Sequence, residues 1–171
     1  MSELTPGESA ALGLVAERTV HGYDVARELS ADGALGAVWT VSRPLVYRAL
    51  TQLEAHGYVR PSASEPSDRG PNRVVLEATR AGRRALDGWL PEPVTHIRDV
   101  RSVLLLKLAL LDRRSDDPSA LLHAQRAIVN ELVDGLVSRR RRADGFDRVL
   151  LSWRLESARA VLPFIDAVVT S

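Results

Sequence analysis

The chain contains no cysteine and a single lysine, Lys107, among its 171 residues. The absence of cysteine excludes disulfides, thiolate nucleophiles and zinc-thiolate sites, and it fits a reducing compartment. No stretch approaches the roughly 18 uninterrupted apolar residues of a membrane span. The first residues place Glu3 where a signal peptide carries positive charge. We therefore expect a cytoplasmic protein.

The charged residues that are present are unevenly distributed, although the formal net charge is only +1. Between Thr40 and Arg84, eight arginines stand against four carboxylates. The guanidinium fork suits both phosphate and guanine, so a basic segment of this kind is typical of nucleic-acid binding. The arginine usage of a GC-rich genome is an alternative explanation of the same bias.

The first half of the chain contains residues that are typical of the starts and ends of several short helices. Thr5, Pro6 and Glu8 form a helix start, which predicts a first helix to about Ala16. A second helix is predicted from His21 to about residue 33. Ser42 is a suitable N-cap for a third helix over residues 43–56.

Two extended runs follow, at residues 58–61 and 72–77, with a turn-rich tip between them. They predict a two-stranded wing. Thr79 then caps a fourth helix, which Pro91 and Pro93 end. Three helices, a wing and a fourth helix describe a winged helix-turn-helix, and we place this predicted domain at residues 1–91.

The second half carries the pattern of longer helices, predicted at residues 95–111, 118–142 and 147–169, with Asp117 as a cap and a kink at Pro163. Their apolar faces are broader than three helices can cover. Exposed faces of this kind mark interfaces, so residues 92–171 are interpreted as a helical dimerisation domain. The expected fold class is mainly α with a small β wing, and the expected assembly is a homodimer.

The third predicted helix is the most informative for function. Its inward positions are Val46, Ala49, Leu50 and Leu53. Its outer side carries Ser42, Arg43, Tyr47, Arg48, Thr51 and Gln52. These side chains are donors of the kind that contact base edges and phosphates in duplex DNA. A solvated helix face that happens to carry two arginines is the alternative.

The tip of the wing combines positive charge with a sharp turn. Arg69, Asn72 and Arg73 surround the Gly70-Pro71 turn. Such a tip could reach the DNA backbone or the minor groove beside the third helix. A surface hairpin without a ligand is the alternative.

Several segments together resemble the PadR-type regulators. They are residues 21–29, 38–42, 45–59, 69–73 and 79–83, in the order and spacing of that family. The resemblance covers roughly residues 4–90, and the rest is similar in length and helical character to the longer members. It implies a dimeric winged helix, usually a repressor on a pseudo-palindromic operator, often released by a phenolic acid or a drug-like aromatic.

The resemblance also implies particular DNA contacts. Tyr47 and Arg48 correspond to contacts in the third helix, Arg69 and Arg73 to contacts in the wing, and Tyr23 to a phosphate contact or a packing residue. The second wing strand, residues 74–78, departs from the more aromatic and basic run that the family often has.

Other functions have less support. Trp89, His96 and Trp153 could line an effector pocket, because flat aromatic walls suit a small hydrophobic ligand; core or interface packing is the alternative. The four histidines show no metal-ligand spacing and no glycine-rich phosphate loop is present, so we expect no metal, no cofactor and no enzyme activity. A winged helix that docks a protein instead of DNA remains the competing hypothesis.

Overall fold

A computed structural model describes residues 4–65 and 73–169. The first part contains α1 (Pro6–Glu17), β1 (Val20–His21), α2 (Gly22–Glu28), α3 (Arg43–Ala55), β2 (Val59–Glu65), β3 (Arg73–Ala78) and α4 (Arg80–Trp89). The second contains α5 (Ile97–Asp99), a π-helical turn (Val100–Leu104), α6 (Leu105–Arg114), α7 (Ser119–Arg141), α8 (Gly145–Arg159) and α9 (Val161–Val169). This order confirms a mainly helical fold with a small β wing.

Two predicted helix caps, Thr5 and Thr79, form the expected side-chain hydrogen bonds. The Thr5 hydroxyl accepts the Glu8 N–H while the Glu8 carboxylate accepts the Thr5 N–H, which closes a capping box at α1. Thr79 caps α4 by accepting the Gly82 N–H at 3.1 Å. The Asp117 carboxylate accepts both the N–H and the hydroxyl of Ser119, which lowers the pKa of Asp117. α7 begins at Ser119, one residue later than predicted, and its N-cap is Pro118 and not Asp117.

The sheet has three antiparallel strands in the order β1-β3-β2. β1 was not expected, because residue 21 was predicted to begin the second helix. Instead His21 pairs with Val75, and α2 begins one residue later and ends at Glu28, earlier than predicted. A two-residue strand has too few side chains for a periodic signal, and only its pairing with the distant β3 reveals it.

Two helices of the second half are interrupted where the sequence predicted continuity. The segment predicted as one helix over residues 95–111 contains the π-helical turn and extends to Arg114. The last predicted helix begins at Gly145 and breaks at Ala160, ahead of the expected kink at Pro163. Pro163 has no N–H to donate to the carbonyl four residues earlier, and in α9 it lies in the first turn, where that donor has no partner within the helix.

The hydrophobic core runs continuously through both halves. Leu12 and Leu53 of the first half belong to the same buried cluster as Leu110, Leu122 and Ile165 of the second. The predicted division at residue 91 stays a prediction. Helices α1 and α6 approach so closely that a Cβ atom on Gly13 would lie 2.6 Å from a methyl carbon of Leu110.

Candidate nucleic-acid interface

Helix α3 has one buried and one exposed face, divided as the sequence predicts. Val46 and Leu53 are fully buried, and Ala49 and Leu50 nearly so. The exposed residues are Ser42, Arg43, Tyr47, Arg48, Thr51 and Gln52. The buried stripe packs α3 against α1 and α2, so the opposite face is held rigidly toward solvent. Its polar groups are therefore available to a ligand.

Arg43 lies between two aromatic rings at the start of α3. Its guanidinium carbon is 5.2 Å from the ring centroid of Tyr23 and 5.8 Å from that of Tyr47. Cation-π contacts of this kind restrict a long side chain without using its N–H donors. Tyr47 rests on Gly22, where a Cβ atom would lie only 3.1 Å from its ring. The three side chains thus form one preorganised cluster with Arg43 at its centre.

The hydroxyl of Ser42 is not engaged in capping within the described part of the chain. Pro44 occupies the second helical position and has no N–H, which removes one of the two amides that an N-cap hydroxyl normally accepts from. Ser42, Tyr23 and Arg43 also line a shallow groove of about 380 Å³ between α2 and α3. A polar hydroxyl, a phenol and a guanidinium therefore converge at this end of the helix.

Further along α3, Arg48 and Thr51 occupy the middle of the exposed face. The Thr51 hydroxyl donates to the Tyr47 carbonyl at 3.0 Å, which leaves its lone pairs free to accept. Among residues 4–65 and 73–169, neither Arg43 nor Arg48 forms an ion pair with a carboxylate. Their positive charges are not neutralised inside the described fold.

The wing is the β2-β3 hairpin, with a register shift between Pro61 and Ala63. At its base Arg60 donates to the Glu77 carboxylate at 2.7 Å, and this hydrogen bond lowers the pKa of Glu77. Arg73 is the first residue of β3, opposite Glu65. Arg69 and Asn72, the other two predicted wing contacts, lie outside the described residues.

Leu45 is a further exposed residue of α3, which the sequence pattern did not indicate. Its side chain is 54% exposed in the first turn of α3, although leucine normally marks the buried face. The helical period alone does not decide this, because position 45 lies about 100° around the helix from Val46 but only about 40° from Ala49, at the edge of the buried stripe.

The three predicted effector residues do not lie together. His96 and Trp153 line a cleft of about 830 Å³ between the α5 region, α7 and α8. Trp89 is not among its lining residues. The Trp89 ring instead lies beneath the Lys107 ammonium, at 4.4 Å.

Two negative observations concern other kinds of site. Among the described residues, no three His, Asp or Glu side chains lie close enough to bind a metal ion together. In the same part of the chain, no helix combines the length and the apolar character needed to cross a membrane.

The order α1-β1-α2-α3-β2-β3 with an exposed third helix defines a winged helix-turn-helix domain. Residues 11–88 match the model of the transcriptional regulator PadR-like family. The chain therefore carries a PadR-like domain, as its sequence motifs predicted. This family consists of transcriptional regulators and not of enzymes, in agreement with the expectation that the chain is not an enzyme.

The similarity to individual proteins covers different shares of the chain. The probable transcriptional regulator Rv1176c of Mycobacterium tuberculosis is 30% identical over 96 residues, which cover 56% of this chain and 49% of that protein. The chain thus spans about half the length of this relative. Bacillus subtilis PadR in complex with operator DNA is 18% identical, with a TM-score of 0.49 over 95% of this chain and 96% of that chain. Streptococcus mutans smu.1604c is 14% identical, with a TM-score of 0.46 over 96% and 99%.

Proposed function

We propose that the protein is a transcriptional repressor that binds a pseudo-palindromic operator in duplex DNA as a homodimer. The observation that carries the proposal is the exposed face of α3, with two arginines unpaired in the described fold on a rigidly packed helix. In a winged helix-turn-helix, this helix enters the major groove. A protein that occupies an operator near a promoter blocks transcription from it. Because its proposed partner is DNA, we also propose that the protein works in the cytoplasm.

The geometry suggests different roles for the two ends of this face. Arg43, Tyr23 and Ser42 cluster at the start of α3, where a fixed guanidinium and two hydroxyls suit the phosphate backbone. Arg48 lies on the outer face one turn further along, where it suits the O6 and N7 acceptors of guanine. Thr51 and Tyr47 flank it. Arg69, Asn72 and Arg73 of the wing are proposed to contact the adjacent backbone or minor groove.

The homodimer is proposed to form through α8. Phe146, Val149 and Trp153 are 77%, 61% and 73% exposed. Their spacing of three and four residues places them on one face of the helix. Three large apolar side chains in one stripe are costly to leave in water, and a second copy of the same stripe would cover them.

A small hydrophobic effector is proposed to bind the cleft that His96 and Trp153 line. Ile97, Leu132 and Leu136 add apolar surface there, while Arg98, Arg101, Arg139 and Arg154 surround it. This combination fits a flat aromatic molecule with an acidic group. A ligand that prefers one arrangement of α7 and α8 would alter the dimer and thereby the spacing of the two α3 helices, about 34–36 Å on DNA.

DNA binding is tested with the purified full chain and a labelled duplex from upstream of its own gene. We expect an affinity that falls steeply with salt, because phosphate neutralisation releases counterions. Arg48→Ala should weaken specific binding by about 1–3 kcal/mol, and Tyr47→Ala by a similar amount if Tyr47 reads a base edge. Arg159→Ala, on α8, is the matched control and should leave the affinity unchanged. Unchanged binding of both α3 variants would exclude α3 as the reader.

Failure to bind this or random duplexes at low salt would instead favour the protein-docking hypothesis. Repression is a separate question, and a reporter gene behind the bound operator answers it: expression should rise when Arg48→Ala replaces the wild type.

Dimerisation is tested by light scattering at micromolar concentration. The wild type should have the mass of two chains, and Trp153→Glu should shift it to one, because a carboxylate cannot be buried in an apolar interface without a partner. Arg159→Glu changes charge outside the stripe and should remain dimeric. A wild-type monomer would overturn the proposal.

Effector binding is tested with 1-anilinonaphthalene-8-sulfonate, a flat aromatic anion. We expect energy transfer from tryptophan to the dye in the wild type and in Trp89→Phe, and a clear loss in Trp153→Phe. Arg101→Ala should weaken dye binding. Dye binding that leaves operator affinity unchanged would show a pocket that does not control the DNA-binding domain.

A further inference from the structure

Leu45 presents an apolar side chain on the surface that is otherwise polar. It lies in the first turn of α3, and 54% of it is exposed. The neighbouring Val46 is fully buried, so the backbone here is fixed and Leu45 has no route into the core without rotating the helix. The exposure is therefore a property of the fold.

The exposed residues that follow Leu45 on the same flank of the helix are polar, whereas Ala49, on its other side, is buried. Arg48 and Gln52 follow at three and seven residues, on the same flank, and both are exposed. Arg48 and Gln52 have the hydrogen-bonding groups that recognise guanine and adenine in the major groove. Leu45 extends this row toward the N-terminal residues of the helix, which contact base edges in a helix-turn-helix, and it lies on the flank opposite Arg43, about 160° around the helix.

The floor of the major groove exposes one apolar group, the C5-methyl of thymine. A leucine beside two base-reading side chains matches that group in character and has no polar atom with which to contact any other base edge. We propose that Leu45 is a specificity-determining residue that packs against a thymine methyl in each operator half-site. This inference rests on the proposed function, since it requires α3 to enter the major groove.

The test removes the methyl from the DNA and the side chain from the protein, separately and together. Each thymine of the bound duplex is replaced in turn by deoxyuridine, which lacks only the C5-methyl. For the wild type we expect one symmetry-related pair of positions where affinity falls by about 3- to 10-fold per half-site, the range expected for a methyl group removed from an apolar contact.

For Leu45→Ala we expect weaker binding to the thymine duplex and no further loss at those positions. Val169→Ala is the matched control, because Val169 is 44% exposed on α9, outside α3. It should retain the full sensitivity to deoxyuridine. Melting temperatures close to that of the wild type verify that both variants are folded.

Three outcomes are informative. Wild-type affinity that is insensitive to deoxyuridine at every position overturns the inference, as does a Leu45→Ala variant with undiminished sensitivity. In both cases DNA binding itself persists, so the proposed function stands. Absence of binding to any duplex overturns the proposed function and the role of Leu45 with it.

Discussion

The ammonium group of Lys107 lies over the ring of Trp89 and also donates a hydrogen bond to the carbonyl oxygen of the same residue, at 2.6 Å. A second bond of 2.5 Å reaches the Glu92 carbonyl. The only lysine in the chain thus joins the end of α4 to α6. Its side chain is almost completely buried, and this burial lowers the pKa of Lys107 to about 8, against a smaller raising effect of the Glu92 carboxylate.

The lowered pKa predicts that stability rises with alkaline pH. Between about pH 8 and the ordinary lysine value near 10.4, the unfolded chain binds the Lys107 proton more tightly than the folded chain. The free energy of unfolding should therefore increase with pH in this window, by at most about 1.4 kcal/mol per pH unit.

Urea denaturation from pH 7.5 to 10 measures this slope. Lys107→Met removes the group and is expected to lose the rise, while all other titratable groups are the same in both proteins. Equal slopes for the two proteins would show that Lys107 titrates normally in the fold.

A second prediction concerns Gln125, whose buried amide forms two hydrogen bonds with the main chain of Val94. Its Oε1 accepts the Val94 N–H at 2.8 Å, and its Nε2 donates to the Val94 carbonyl at 2.9 Å. Gln125→Met keeps the length of the side chain but leaves both backbone groups without these partners. The expected loss is about 2–4 kcal/mol, since an unsatisfied buried polar group costs about 1–3 kcal/mol.

Chemical denaturation compares this variant with Gln52→Met, which makes the same change on the exposed face of α3. The control should stay within about 0.5 kcal/mol of the wild type. Similar values for the two variants would mean that water replaces Gln125 at Val94.

The sequence predicted those elements whose signals are local. The capping box of Thr5 and Glu8, the cap at Thr79 and the alternation of buried and exposed residues along α3 each depend on neighbours a few residues apart. The ordered motifs that resemble the PadR-like family led to the prediction that α3 contacts DNA. The DNA contacts assigned to individual residues stay predictions.

Features that depend on distant partners could not be predicted in this way. β1 exists because Val20 and His21 pair with β3 more than fifty residues later. The sequence favours a pocket that Trp89 shares with His96 and Trp153, whereas in the structure the Trp89 ring lies against Lys107 and outside the cleft of the other two residues. Leu45 was overlooked because hydrophobic character suggested burial, and only the packing of α3 against α1 and α2 fixes which flank faces solvent.

Replacement by alanine is expected to have opposite effects on stability at two glycines of α4, Gly82 and Gly88. A Cβ atom on Gly82 would lie 2.1 Å from the carbonyl oxygen of Tyr58, which also accepts the Thr79 N–H at 2.9 Å. Gly82→Ala must displace backbone and should cost about 1–3 kcal/mol. Gly88 has no atom within 4 Å of that position, so Gly88→Ala should stabilise the helix by about 0.5–1 kcal/mol. Thermal denaturation of both variants checks the pair, and destabilisation by Gly88→Ala would contradict the open space at that site.

The last prediction concerns Arg113, which connects α6 to α1 and α2. Its Nε and Nη2 donate to the two carboxylate oxygens of Glu17 at 2.6 and 2.8 Å, and its Nη1 reaches Glu28 at 3.3 Å. The bond to Glu17 is the main reason that the pKa of Arg113 is raised. The side chains of Arg113 and Glu17 are only 27% and 20% exposed, so solvent screens this pair less than an ordinary surface pair.

A double-mutant cycle with Arg113→Met and Glu17→Gln should therefore give a coupling energy of about 1–2 kcal/mol, the strength of a bidentate pair discounted for partial exposure. The matched cycle with Arg159→Met and Glu156→Gln examines a pair at 3.0 Å whose side chains are 47% and 62% exposed. We expect a coupling energy below about 0.5 kcal/mol there.

Because Arg113 joins the two halves of the chain, its variants should also loosen the connection between α6 and α1, which hydrogen exchange of the α1 amides would detect. A coupling energy no larger than that of the control cycle would mean that the packing of Leu110 against Gly13, and not the ion pair, holds α6 against α1.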